Sequence, residues 1–179
     1  MRHLMFATLV ASLAVFPAAA ADDPSTCHNS SGAAALEACD RAIASGQFTG
    51  LDLAKLHTSR GVERKRIGDL DGAIADYDAA IKLNPKDFFA YNNRGNTWRD
   101  KGDLERAIAD YGEAIRLDPD YATPYINRGL LYERLKDVAR ARADFNAALK
   151  TPPQKYNNSR GAHQMAKQRL AALAKMPAE

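Results

Sequence analysis

The sequence predicts an all-α fold built from stacked helical hairpins, and three observations carry that prediction. A short phrase recurs every 34 residues, as "HTSRG" from His57 to Gly61, "YNNRG" from Tyr91 to Gly95 and "YINRG" from Tyr125 to Gly129. The same shift brings further columns into register: Ala73, Ala107 and Ala141; Tyr77, Tyr111 and Phe145; Ala80, Ala114 and Ala148; and Pro85, Pro119 and Pro153. Between each glycine and the next proline, apolar residues recur at intervals of three and four, as in Ala107, Ile108, Tyr111, Ala114 and Ile115, which is the spacing of one buried helix face. The composition, with 46% hydrophobic and 26% charged residues, is that of an ordinary globular chain.

In chain order, residues 1–21 read as a secretory signal peptide. Arg2 and His3 precede an apolar run from Leu4 to Val15, and Pro17 with the alanines after it offers cleavage sites following Ala20 or Ala21. The run is about twelve residues, short of the roughly 20 that a spanning helix needs, so export and cleavage are expected rather than a membrane span. A periplasmic or secreted location follows. Residues 22–53 form an N-terminal segment with a cap helix over 31–45, because "EACDRAIASG" aligns with "IADYDAAIKL" and puts Cys39 in the column of Tyr77. Cys27 and Cys39 are the two cysteines. An oxidising compartment and an even count favour a disulfide between them; the alternative is a pair of separate thiols.

Each following unit holds two helices. The break between them reads "IGDLDGA", "KGDLERA" and "LKDVARA", in which Gly68 and Gly102 can end a helix in the left-handed conformation and Asp69, Asp103 and Asp137 can cap the next. The second helices stop at "LNP", "LDP" and "TPP", since proline restricts the residue before it and cannot continue the hydrogen-bond ladder. Beyond them, "SRGAHQMAKQRLAALAK" from Ser159 to Lys175 is an alanine-rich amphipathic stretch that reads as a polar-faced C-terminal cap helix, with its register shifted by two.

These columns resemble the tetratricopeptide repeat (TPR), a helix-turn-helix unit of the same length with aromatic, Gly, Ala, aromatic, Ala and Pro at set positions. The resemblance implies a right-handed α-solenoid of about three repeats, 54–87, 88–121 and 122–155, closed by an N-terminal cap and by a C-terminal cap helix and tail over 156–179. Tyr91, Trp98, Tyr125 and Tyr132 match the first-helix aromatics, whereas repeat one has His57 and Arg64 there, polar substitutes expected to pack less tightly or against the N-terminal segment. It also implies a non-catalytic protein-interaction module of exported bacterial type, whose first helices line a concave groove for an extended peptide. The groove positions correspond to Lys55, Thr58, Val62, Lys65 and Arg66; Phe89, Asn92, Asn96, Arg99 and Asp100; and Thr123, Ile126, Leu130, Glu133 and Arg134. That wall is basic at one end, offers the Asn92 and Asn96 amides to a peptide backbone in the middle, and is apolar at Ile126 and Leu130. An acidic partner segment suits it. The Lys/Asn carboxylate clamp of chaperone-binding members is not carried over, because Thr58 and Val62 stand at its first positions. Self-assembly through an exposed end of the stack is the second reading of function, and the oligomeric state stays open.

Other function classes fade. A formal charge of +3 with interspersed signs is too even to attract nucleic acid. The histidines show no metal-ligand spacing, no glycine-rich phosphate loop follows a strand, and neither cofactor nor catalysis is expected. The repeated arginines, Arg60, Arg94 and Arg128, each stand sixteen residues before an aspartate, Asp76, Asp110 and Asp144. They are expected to form helix-to-helix ion pairs at a partly exposed surface, worth about 0 to 1 kcal/mol, so that Leu would be tolerated in their place; the alternative is that the three arginines line the groove and clamp an anionic ligand.

Overall fold

A computed structural model describes residues 24–175. The expected signal peptide lies outside the described residues. Among those residues the chain is helical throughout: α1 (Pro24–Asn29), α2 (Ala33–Ala44), α3 (Gly50–Arg66), α4 (Leu70–Leu83), α5 (Phe88–Lys101), α6 (Leu104–Leu117), α7 (Ala122–Arg134), α8 (Val138–Lys150) and α9 (Ser159–Leu173). No helix among them is long and apolar enough to cross a membrane. Three antiparallel pairs, α3 with α4, α5 with α6 and α7 with α8, make the repeats, and each packs on the next. The N-terminal cap is a hairpin of α1 and α2 rather than one helix, and α9 closes the other end.

Local chemistry sets the joints. The side chains of Asp69, Asp103 and Asp137 accept the amides of Gly72, Arg106 and Arg140, satisfying N–H groups that the first turn of a helix leaves open. Just before these caps the chain enters the left-handed region at Gly68 (φ 87°), at Gly102 (φ 89°) and, in the third repeat, at Lys136 (φ 62°). Lysine carries a Cβ penalty there that the two glycines escape. The turn geometry is therefore dictated by the stack, and the sequence follows it in two repeats of three.

Within each pair, the fully buried ring of Tyr77, Tyr111 or Phe145 packs against a glycine of the facing helix. A Cβ on Gly61, Gly95 or Gly129 would come within 2.8, 2.8 and 2.7 Å of that ring. Gly95→Ala should therefore destabilise by about 2 kcal/mol, because a methyl group in a closed crossing forces the ring or the helix aside. Urea unfolding measures it, and a midpoint equal to wild type would contradict this packing.

The arginine column pairs as expected but not where expected. Arg94 donates through Nε and Nη2 to the two oxygens of Asp110 at 2.9 and 2.7 Å. Arg128 does the same to Asp144 at 2.9 and 2.8 Å, and Arg60 to Asp76 at 2.9 and 2.7 Å. The aspartates are only 6, 5 and 2% exposed. These are forks into the helix interface rather than surface pairs, and the expected tolerance of Leu is corrected on that ground. Two arginines also reach back a repeat, Arg60 Nη1 to Asp40 at 2.8 Å and Arg94 Nη1 to Asp78 at 2.6 Å. At the third place stands Gly112, whose Cβ would lie 3.4 Å from Arg128 Nη1, so this outer ladder lacks its last rung.

Repeat one accommodates its polar substitutes in the same way. His57 Nδ1 lies 2.9 Å from Asp76 Oδ1 and Arg64 Nη1 is 2.9 Å from Asp76 Oδ2, so they pack onto α4 of their own repeat and not onto the N-terminal segment. Cys27 and Cys39 are joined, with their Cα atoms 4.8 Å apart, and the bridge ties α1 to α2 over a turn through Gly32 (φ 82°). Both cysteines are buried with Ala38, Ala42 and Leu56 of α3, which fastens the hairpin onto the first repeat.

Candidate functional site: a concave wall and its strap

The first helices crowd together while the second helices fan apart. α1 packs on α3, α3 touches α5 and α7 touches α9, whereas α4, α6 and α8 show no comparable packing with one another. The inner wall of the curve is therefore lined by α3, α5, α7 and α9. Three adjoining hollows mark it. One, of about 360 Å³, lies among His28, Lys55, Thr58, Asp87, Phe89 and Asn93. A second, of about 470 Å³, lies between Phe89 and the segment from Lys155 to Asn158. The third, of about 360 Å³, is bounded by Thr123, Ile126, Asn158, Gly161 and Met165.

The residues expected to line the groove divide into two sets. Lys55, Thr58 and Phe89 come together around the first hollow, and Val62 stands exposed one turn farther along α3. Val62 and Phe89 are each 42% exposed, large apolar side chains open to solvent. Arg134 is exposed at the end of α7.

The second set is spent on the stack itself. Asn92 is 3% exposed and accepts a hydrogen bond from Asn127 Nδ2 at 3.0 Å; Asn96 accepts from the same nitrogen at 3.1 Å and from the Tyr111 hydroxyl at 2.8 Å. Their carbonyls hold repeats two and three together, so the pair does not present two free amides to a peptide. Lys65 pairs with Asp100 at 2.6 Å and Arg99 with the same carboxylate at 2.9 Å, while Arg66 is held by Glu63 at 2.9 Å. Burial pushes the Asp100 carboxyl up, but hydrogen bonds from Lys65 and Arg99 outweigh it and hold the group below its usual range. The basic end is thus largely neutralised from within. Glu133 is paired with Arg169, Ile126 is 6% exposed, and Leu130 packs against the core shared with α9. The cap helix covers most of the apolar end that the sequence left open.

Asn96 also explains an imbalance in repeat one. Tyr77 and Tyr111 are equivalent, yet the Tyr77 hydroxyl is buried without a hydrogen-bond partner. The residue that matches Asn96 is Val62, which has nothing to offer it. In repeat three the pair is Leu130 and Phe145, apolar on both sides. Only repeat one is mismatched.

Sequence reasoning missed His28, Asn93, Met165 and the strap over 151–158. His28 is carried to the wall by the disulfide-bonded hairpin, where its Nδ1 lies 2.7 Å from Ser59 Oγ; burial and then the Lys55 charge lower its pKa. A signal for the strap existed: the links 84–87 and 118–121 have four residues each, whereas α8 and α9 are separated by 151–158, twice as long. Among the described residues no group of three or more His, Cys, Asp or Glu side chains is placed to hold a metal ion.

A family model described as "TPR repeat" matches residues 63–98 and 95–136, and one described as "Tetratricopeptide repeat" matches 122–155, together more than half of the chain. No curated protein sequence matches it. Among solved structures, the chain is similar to the first TPR of Spaghetti (RPAP3) bound to the HSP90 peptide SRMEEVD, at 20% identity over 73% of this chain and 97% of that one, with a TM-score of 0.61. It is similar to a tetratricopeptide repeat protein from Parabacteroides merdae at 25% identity over 78% of this chain and 54% of that one, TM-score 0.61. It is also similar to YrrB, described as a TPR protein with an unusual peptide-binding site, at 19% identity over 76% of this chain and 64% of that one, TM-score 0.61. The matched repeats, the glycine–aromatic crossings and the array of helix pairs agree: the chain belongs to the tetratricopeptide repeat family.

Proposed function

We propose that the chain is a non-catalytic adaptor of the cell envelope that holds an extended segment of a partner protein along its concave wall. The observation that carries this reading is Phe89, exposed between two hollows of side-chain size, with the equally exposed Val62 one turn beyond Thr58 on α3. Apolar anchors flanked by polar groups are the usual source of binding energy in such grooves. The envelope location rests on the leader-like residues 1–21. An acidic residue of the partner meets Lys55, whose present contact with Asp52 at 3.1 Å is exposed and readily exchanged. The peptide in the Spaghetti (RPAP3) structure is acidic, which supports that preference. Lys65, Arg66 and Arg99 contribute less than the sequence suggested, because Asp100 and Glu63 occupy them.

The test is affinity capture from envelope extract by the mature chain, with Lys55→Glu combined with Val62→Asp as the comparison. Both side chains are exposed, so folding should be unchanged, while retention of a groove-bound partner should fall at least about tenfold. Equal retention by the double variant would move recognition off this wall.

A further inference from the structure

The strap is itself a peptide seated in a site. Tyr156 packs against Phe88, Phe89 and Tyr121, with ring centroids 5.9, 5.9 and 5.1 Å away and the planes strongly tilted. Phe88 and Phe89 open α5 and Tyr121 ends the link before α7, so the cradle belongs to the repeats and does not depend on the strap for its position. Its three rings contact one another at 4.3 to 5.4 Å. At its edge, Lys155 Nζ lies 3.1 Å from Asp118 and 3.0 Å from Asp120, and the Tyr156 hydroxyl donates to Asp118. Burial pushes the Asp118 carboxyl up, yet the Tyr156 and Lys155 hydrogen bonds outweigh it and hold the group below its usual value.

The strap is held by side chains rather than by backbone. Its main-chain bonds are local, from Lys155 to Pro152 at 3.4 Å and from Ser159 to Tyr156 at 3.0 Å. Pro152, Pro153, Gln154, Asn157 and Asn158 are exposed, and hollows open on both sides of Tyr156 and Asn157. Segments with few buried contacts and no ladder open at low free energy. A lysine and a tyrosine in sequence are thus the chemistry this edge of the groove already accepts.

We propose that Asp118, Asp120 and the Phe88–Phe89–Tyr121 cradle form a recognition site for a basic–aromatic peptide segment, and that the strap is its resident occupant, displaced when a partner presents lysine followed by tyrosine. The site shares Phe89 with the groove reading and extends it, while Asp118, Asp120 and the strap lie apart from Lys55 and Val62, so the peptide titration and the affinity capture can fail independently. As a tethered occupant the strap competes at a local concentration on the order of millimolar, which lowers the apparent affinity of any segment supplied in solution.

The test uses the strap's own sequence, the peptide PPQKYNN, titrated by NMR into the full mature chain and into a variant with Lys155→Gln and Tyr156→Ser. The variant should stay folded, since both side chains lie in the strap, beyond the last helix pair, α7 and α8. The peptide should shift the Phe88, Phe89 and Tyr121 resonances of the variant at concentrations at least about tenfold lower than for wild type, while PPQQSNN should shift neither. Adding Asp118→Asn and Asp120→Asn to the variant should weaken the response and remove most of its salt dependence. No response from the folded variant, or equal responses from variant and wild type, would overturn the proposal, as would unchanged binding after both aspartates are replaced.

Discussion

Arg94→Leu is expected to lower stability by about 3 kcal/mol, because it removes one member of a buried ion pair and leaves the other without a counter-charge. Leu is the common residue of the family at this position, and packing alone would predict no loss. The structure decides otherwise: Asp110 is 6% exposed, and the arginine fork supplies a hydrogen bond to each of its oxygens. Burial pushes the Asp110 carboxyl up even with Arg94 in place. Without the arginine its folded pKa rises further above the ordinary carboxylate value, so the variant gains stability relative to wild type at acid pH and loses it as pH rises through that folded value. The deficit should therefore be larger at pH 7 than at pH 4.5. Urea unfolding at the two pH values measures both effects. Replacing Asp110 by Leu as well should recover most of the loss, since a matched apolar pair of similar volume is often as stable as the ion pair it replaces. Wild-type stability of Arg94→Leu would mean that the aspartate is satisfied by water instead.

The fold was legible because a repeat multiplies weak signals. One glycine before a distant aromatic says little, but Gly61, Gly95 and Gly129 in step with Tyr77, Tyr111 and Phe145 specify a crossing geometry three times over. The pairing of arginine with aspartate was legible for the same reason. Its burial was not, since periodicity fixes which helix faces meet and leaves open how deeply a long side chain lies in the seam.

The wall was harder to read. Position along a first helix placed Lys55, Val62 and Phe89 on the inner side, but the same rule also selected Asn92, Asn96, Lys65 and Arg99. Asn92 and Asn96 are held by Asn127 two helices away, Asn96 also by Tyr111 of the facing helix, and Lys65 by Asp100 two helices away, which the neighbouring Arg99 contacts as well. A hydrogen-bond partner contributed by a neighbouring repeat is invisible to a pattern that treats each repeat alone. The strap escaped for the opposite reason: it breaks the pattern, and a longer link reads only as a loop until its tyrosine is seen among other rings.

Loss of the disulfide is the second large effect expected. Replacing Cys27 and Cys39 by Ala should destabilise the N-terminal hairpin by about 3 kcal/mol, the chain entropy of closing a ring of this size. The loss should be local. α1 has six residues and cannot persist alone, whereas the repeats keep their own crossings, and in a stack each unit depends mainly on its neighbours. Hydrogen exchange should accordingly quicken through 24–45 and at the face of α3 around Leu56, which the hairpin covers, with little change beyond α5. The first hollow should change as well, because His28 reaches Ser59 only through the bridged hairpin. If the wall around Lys55 and Thr58 binds a partner segment, the double variant should bind it more weakly even where the repeats remain fully folded. Mass spectrometry of unreduced protein supplies the control, a deficit of two protons marking the bridge. Exchange unchanged across 24–45 would show that burial of Ala38, Ala42 and Leu56 holds the hairpin without it.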